Sequence, residues 1–322
     1  MRTPSYKIPS LLLALLLLDA ARALAGAPAA GKFQAPAFLL QWGGWGSDPG
    51  RMWNPYGLAV GPEGSVYVDD YVNERVEVFD PSGKYLRQWG RRGTAPGRFH
   101  HALGLAVGPS GDVYVADTLN DRVQKFTADG VWLAQWGGDG AGPGQFFNPV
   151  MATVGKDGRV LVVDGSNGRV EAFSPEGKFL FQFGGPGSGQ GRFNLPTGVA
   201  VGPDGSLYVT DTGNHRVEKF DAQGVFLTQW GSKGKAPGQF QGPVGLAVDP
   251  QDRVYVADSG NGRVQVFTAS GRFLTQWGSP GKGQGQFTQP EGVALDAQGD
   301  VYVADWGNCR VEKFSPLSGG NP

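Results

Sequence analysis

Residues 207–220 read Leu-Tyr-Val-Thr-Asp-Thr-Gly-Asn-His-Arg-Val-Glu-Lys-Phe, and this stretch returns, altered but in phase, along most of the chain. Its Asp-x-x-Asn-x-Arg core stands at Asp70/Asn73/Arg75, Asp117/Asn120/Arg122, Asp164/Asn167/Arg169, Asp211/Asn214/Arg216, Asp258/Asn261/Arg263 and Asp305/Asn308/Arg310. Each Asp follows the last by 47 positions without an insertion. A fixed period of this size marks an array of like supersecondary units.

Around that core the specimen unit reads as four short strands. Gly198–Val201 is the first, with Gly202–Gly205 as a tight turn, and Leu207–Thr210 is the second. A polar loop, Thr212–His215, leads to a third strand at Arg216–Phe220 and a turn at Asp221–Gly224. Val225–Trp230 is the fourth, followed by a Gly/Pro-rich connection. Turns at about ten-residue spacing predict antiparallel sheet. Runs such as Val-Tyr-Val-Ala at 113–116, 254–257 and 301–304 are apolar on both faces, as suits a sheet covered on both sides. A propeller blade packed between two neighbours is such a sheet. Trp42, Trp89, Trp136, Trp230 and Trp277, with Phe183 in the same place, close each fourth strand as a packing wedge. Such a ring is worth about 3–5 kcal/mol against Ala when buried.

Counting strands decides how the array closes. The sixth unit ends after Arg310–Phe314 and lacks a fourth strand, while Phe38–Gly43 is a fourth strand with no unit before it. Placing the N-terminal strand on the outer edge of blade six removes both loose ends. The expected architecture is all-β: one six-bladed β-propeller of four-stranded antiparallel blades over residues 37–316. Residues 1–25 precede it as a signal peptide and 26–36 as a linker, and 317–322 form a tail.

The sequence Tyr-Val-Thr-Asp-Thr-Gly-Asn-His-Arg-Val-Glu-Lys-Phe, with Pro-x-Gly-(Val/Leu)-Ala-Val upstream and Gln-Trp-Gly downstream, resembles the NHL-repeat family of β-propellers. That resemblance implies the propeller fold. It leaves function open, since the family includes peptide-amidating lyases, RNA-binding regulatory domains, sensor domains and interaction scaffolds. The histidine of the family's name follows the Asn once, at His215; the other copies carry Glu74, Asp121, Gly168, Gly262 and Cys309.

The first 25 residues carry Arg2 and Lys7, then an apolar run from Ile8 to Leu18, then Ala23-Leu24-Ala25, the pattern of a cleaved export signal. A spanning helix needs about 20 apolar residues, and Asp19 and Arg22 interrupt this run. The protein is therefore expected to be secreted or periplasmic, with no membrane attachment after cleavage, and a monomer. Cleavage removes Arg2, Lys7, Arg22 and Asp19, which takes the formal net charge from −1 to about −3. Nucleic-acid binding draws on clustered Lys and Arg, so an exported acidic chain is not expected to bind it. Cys309, the single cysteine, has no internal disulfide partner.

Groups that recur in every blade belong to the scaffold. The Asp and Arg of each core are placed to pair across the loop, and the Asn to cap it. Function is expected where the repeats disagree, on the face where the fourth-to-first connections and second-to-third loops surround the channel mouth. The position before the repeated Gly of the first strand holds Tyr56, Leu103, Val150, Thr197, Val244 and Glu291. In the amidating lyases this position supplies zinc-binding histidines; none is present here. His100 and His101 are adjacent and, if extended, would point to opposite sides. Blades one and six instead carry Tyr56, Asp69, Tyr71, Glu291 and Trp306, a set of aromatics with two carboxylates suited to a sugar, a peptide or a cation. The same set could alternatively seal the seam where the N-terminal strand docks. Arg91, Arg92, Arg98, His100 and His101 in blade two, with Lys233 and Lys235 in blade five, read either as an anion-binding sector or as solvated loop charges. The expected function is a non-enzymatic scaffold binding a protein, peptide or glycan, with no cofactor. The alternative is a lyase or hydrolase with axial zinc or calcium.

Overall fold

In a computed structural model that describes residues 33–319, blade four consists of Pro196–Val201, Leu207–Asp211, Arg216–Phe220 and Phe226–Trp230, hydrogen-bonded in chain order. The expected signal segment 1–25 and most of the linker 26–36 lie outside the described residues, as do 320–322. Residues Ala35–Leu317 contain six such sheets, each of four antiparallel strands. The described helices are three-residue turns, such as Thr212–Asn214 after the second strand of blade four.

Closure follows the strand count. Phe38–Gly43 pairs antiparallel with Arg310–Phe314 as the outermost strand of blade six, with Gln41 opposite Glu312 and Gly43 opposite Arg310. The innermost strands of the blades face the channel and approach one another closely. A Cβ on Gly292 would sit 2.6 Å from the Tyr56 carbonyl oxygen, so the blade six–blade one junction requires glycine at that point.

The core lies between blades. Val217, Tyr208 and Phe240 pack with Val254, Val256 and Phe267 across the junction of blades four and five. A buried Phe opens each repeat (Phe99, Phe146, Phe193, Phe240, Phe287), with Met52 in its place in blade one. The outer-strand Trp is a wedge against the next blade's last turn. Trp42 of blade six stacks over Gly83 of blade one, where a Cβ would meet the indole at 2.8 Å, and Gly83 has φ +81°. Most of these indoles are half-buried, and their Nε1–H groups lack a hydrogen-bond partner.

Candidate ligand-binding site

Each Asp-x-x-Asn-x-Arg core builds one fixed loop. In blade four, Asp211 Oδ2 accepts from Arg216 Nε at 2.7 Å and Asn214 Nδ2 at 2.7 Å, while Oδ1 accepts the Asn194 N–H at 2.7 Å. The remaining Arg216 nitrogens donate to the carbonyls of Ser188, Gly189 and Arg192 at 2.7–3.0 Å. One buried pair thus satisfies the backbone of the fourth-to-first connection and holds it against the second-to-third loop. Blade six is looser, with Arg310 Nε 3.6 Å from Asp305.

Arg122 and Arg263 differ from the other four arginines in their further partners. Both keep the pair with their own aspartate, Arg122 Nε reaching Asp117 and Arg263 Nε reaching Asp258 at 2.7 Å. Arg75, Arg169, Arg216 and Arg310 each meet a second carboxylate as well, from Glu77, Glu171, Glu218 and Glu312. Blades two and five carry Gln124 and Gln265 in that place, so Arg122 and Arg263 have a single anionic partner. The physical reason is the amide, which donates to the same Asp117 or Asp258 oxygen at 2.9 and 3.0 Å and shares it with the guanidinium. The backbone role is unchanged: Arg122 donates to the carbonyls of Thr94, Ala95 and Arg98, and Arg263 to those of Lys235, Ala236 and Gln239.

The residue after each repeated Asn closes these loops in the left-handed conformation, and where it is polar it reaches the following blade. Glu74 accepts the His101 N–H at 2.6 Å, Asp121 the Asn148 N–H at 2.8 Å, and His215 Nδ1 the Gly242 N–H at 3.0 Å. His215 is thereby engaged as a tie between blades four and five. This role was not read from the sequence, although the constant 27-residue offset between partners would have revealed it.

Five of the nominated residues meet at the mouth. Tyr56 and Trp306 stack edge-to-face at 5.7 Å between ring centroids, and Trp306 lies 5.0 Å from Tyr71. Tyr71 stacks on His101 at 4.6 Å, and His101 on His100 at 5.3 Å. The result is a continuous arc of five rings across blades six, one and two. The expected divergence of the two histidines is corrected here: His101 has φ +52°, which turns the chain and brings both rings to one side. The N-terminal strand docks on the outer edge of blade six, and the arc crosses the junction between blades six and one.

The two carboxylates do not stand open at the mouth as expected. Asp69 is 0 % exposed, and neither of its oxygens has a hydrogen-bond partner among the described residues. Burial, together with the negative neighbours Asp70, Glu74 and Asp117, holds its carboxyl well above the usual carboxylate range. Glu291 is 7 % exposed and accepts from Ser259 Oγ at 3.0 Å. Burial, with a contribution from Asp305 and against the Ser259 hydrogen bond, pushes it up to about 8. Burial, then Glu291 and Tyr71, pushes the Tyr56 hydroxyl up as well. Burial thus raises the carboxyls of Asp69 and Glu291 and the Tyr56 hydroxyl together at the inner mouth.

Across the ring the same three repeat positions hold Thr197, Thr210 and Thr212. Thr197 Oγ1 lies 2.6 Å from Thr212 Oγ1, and Thr210 donates to the Val244 carbonyl at 2.5 Å. Beside His101 and Tyr71 is a hollow of about 310 Å³ floored by Leu103, Val150 and Pro196. Leu195, on its rim, is 62 % exposed and held at φ +50°.

Among the described residues no group of three or more His, Cys, Asp or Glu side chains converges as a metal centre. Leu103, Val150 and Val244 at the mouth offer no donor atoms. The residues present do not fit an axial zinc.

Residues 99–126, 193–220, 240–267 and 287–314 match the NHL repeat family. The two remaining blades keep the 47-residue phase. No curated protein matches the chain in sequence. Among solved structures, virginiamycin B lyase from Staphylococcus aureus is 17 % identical, with 88 % of each chain covered and a TM-score of 0.58. A gluconolactonase from Xanthomonas campestris is 17 % identical over 91 % of this chain and 99 % of that one, with a TM-score of 0.62. A chain of a nidogen/laminin complex is 18 % identical over 69 % and 79 %, with a TM-score of 0.55. At these identities the likeness is one of fold.

Proposed function

This chain belongs to the NHL-repeat β-propellers, and from that premise we propose that it is a non-enzymatic binding scaffold. It takes a protein, peptide or glycan segment across its loop-rich face, outside the cytoplasm. The observation that carries this reading is the five-ring arc Tyr56–Trp306–Tyr71–His101–His100. Three blades contribute to it, and residues 250 positions apart in sequence touch within it. The acids beneath are buried, so a ligand meets a broad aromatic surface rather than exposed carboxylates. The repeated cores fix the surrounding loops, which lowers the ordering cost of association. The export-type N-terminal composition supports an extracytoplasmic setting.

The test is binding to a glycan array and a peptide library by the wild type and by a Tyr71→Ala/Trp306→Ala variant. Ligands lost by the variant at unchanged melting temperature support the reading. The reading is overturned if no ligand found is lost by the variant. The competing lyase or hydrolase reading predicts stoichiometric zinc or calcium in the purified protein, which elemental analysis would detect.

A further inference from the structure

The connection from the outer strand of blade six to the inner strand of blade one carries two indoles that no other connection has. Trp45 is 68 % exposed and Trp53 is 41 % exposed, and they meet edge-to-face at 5.6 Å. One period on, their places are taken by Arg92 and His100, and in later blades by Asp139 and Phe147, or by Pro186 and Asn194. Scattered exposed apolar residues need no explanation, but two adjoining solvent-facing tryptophans on a soluble face do.

They form one wall of a cleft of about 500 Å³ completed by Ser47, Asp48, Arg51 and Asn73. Its volume lies within the roughly 300–1,000 Å³ typical of small-ligand sites. Its backbone is rigidly held. Asn73 donates to the Gly46 carbonyl at 2.9 Å, and Arg75 donates to those of Ser47, Asp48 and Arg51 at 2.8, 3.2 and 2.6 Å. Gly46 leaves room for the Arg51 stem, since a methyl there would sit 3.1 Å from Arg51 Cβ. In blades three, five and six the residue in Arg51's place is Gln145, Gln239 or Gln286, which turns inward to accept from its own loop. Arg51 cannot accept such a bond, so the cleft stays open. Among the described residues the Asp48 carboxylate has no hydrogen-bond or ion-pair partner, and Arg51 reaches only the Gly43 carbonyl at 3.4 Å.

We propose that this cleft is a binding site for a neutral saccharide, seated on the Trp45–Trp53 pair and hydrogen-bonded by Asp48, Arg51 and Asn73. A sugar ring offers an apolar C–H face to an indole and, around its edge, hydroxyls that both donate and accept. The rim supplies one carboxylate and one guanidinium, so a hydroxyl pair satisfies both. An aliphatic or aromatic peptide side chain would cover the indoles and leave both charges without partners. The site is separate from the aromatic arc and does not depend on the reading given for it, although the Tyr71–Asn73 loop borders both.

Isothermal titration of the purified full chain with cellotetraose, mannotriose and triacetylchitotriose tests this, with trigalacturonate and a Leu/Tyr-containing tripeptide as controls. At least one neutral probe should bind saturably. Trp45→Ala should weaken it by roughly ten-fold or more, and Arg51→Ala by several-fold. Tyr71→Ala, at the mouth, should leave that affinity unchanged even if it abolishes other ligands. Trp45→Phe should retain part of the affinity and the wild-type melting temperature. No saturable binding of any neutral probe at about 20 mM would overturn the proposal. So would binding indifferent to Trp45→Ala, or a control that binds in the cleft more tightly than every neutral probe.

Discussion

In blade two, Gln124 donates its side-chain amide to Asp117 Oδ2 at 2.9 Å and to the Arg98 carbonyl at 2.7 Å, while its oxygen accepts the Gly97 N–H at 2.9 Å. Gln265 repeats this arrangement in blade five. In the other four blades the position holds Glu77, Glu171, Glu218 and Glu312, all fully buried. Glu171 accepts the Gly144 N–H at 2.9 Å through one oxygen. The other oxygen takes the place of the donating amide and has no aligned donor, although Arg169 Nη2 lies 2.7 Å away.

Burial, opposed by Arg169 and Gly144 and helped by Asp164, pushes Glu171 up to about 7; Glu77 and Glu218 reach the same value. The folded chain therefore holds protons that an unfolded glutamate has released above its ordinary 4.5. This contribution to stability is present in full below about pH 4.5 and is lost as pH rises through 7. Glu171→Gln should raise the melting temperature by a few degrees at pH 8 and change it little at pH 4.5. Equal shifts at both pH values would refute the account. Calorimetry at the two pH values decides.

Asp69 occupies the place that Thr210 holds in the opposite blade, where the hydroxyl accepts the Gly198 N–H and donates to the Val244 carbonyl. Replacing Asp69 by Thr should satisfy the equivalent groups and remove a buried acid. The expected gain is about 1–3 kcal/mol at pH 7–8, read from urea unfolding. A loss of stability would mean that Asp69 has a partner in solution.

The paired core resists single truncation. Arg216→Met leaves Asp211 buried without its guanidinium and frees three carbonyls, so a loss of about 3–5 kcal/mol is expected. Asn214→Ala should cost less, about 1–2 kcal/mol. Denaturant melts of both variants give the order.

Trp42 and Trp45 stand three positions apart and predict opposite outcomes. Trp42 packs against Gly83, Phe79 and Tyr302 at ring closure, so Trp42→Ala should cost about 3 kcal/mol. Trp45→Ala should stay within about 0.5 kcal/mol. Thermal melts of the pair separate wedge from surface.

Six blades, their strands and their closure were legible from residue spacing. A 47-residue unit repeats its own turns and apolar runs, and a missing fourth strand at one end matched a surplus one at the other. The roles of Asp211 and Arg216 were legible for the same reason, since partners five residues apart meet within one loop. The difference at Arg122 and Arg263 was not, because it rests on where a buried Gln amide points. The aromatic arc was legible only as a list of unusual residues. Tyr56 meets Trp306, and His100 swings beside His101, because ring closure and a left-handed backbone position brought them together. The burial of Asp69 and Glu291 was likewise decided by tertiary packing. Solvent exclusion belongs to the junction between blades, which no single repeat contains, and it withdraws two expected surface carboxyls beneath the mouth.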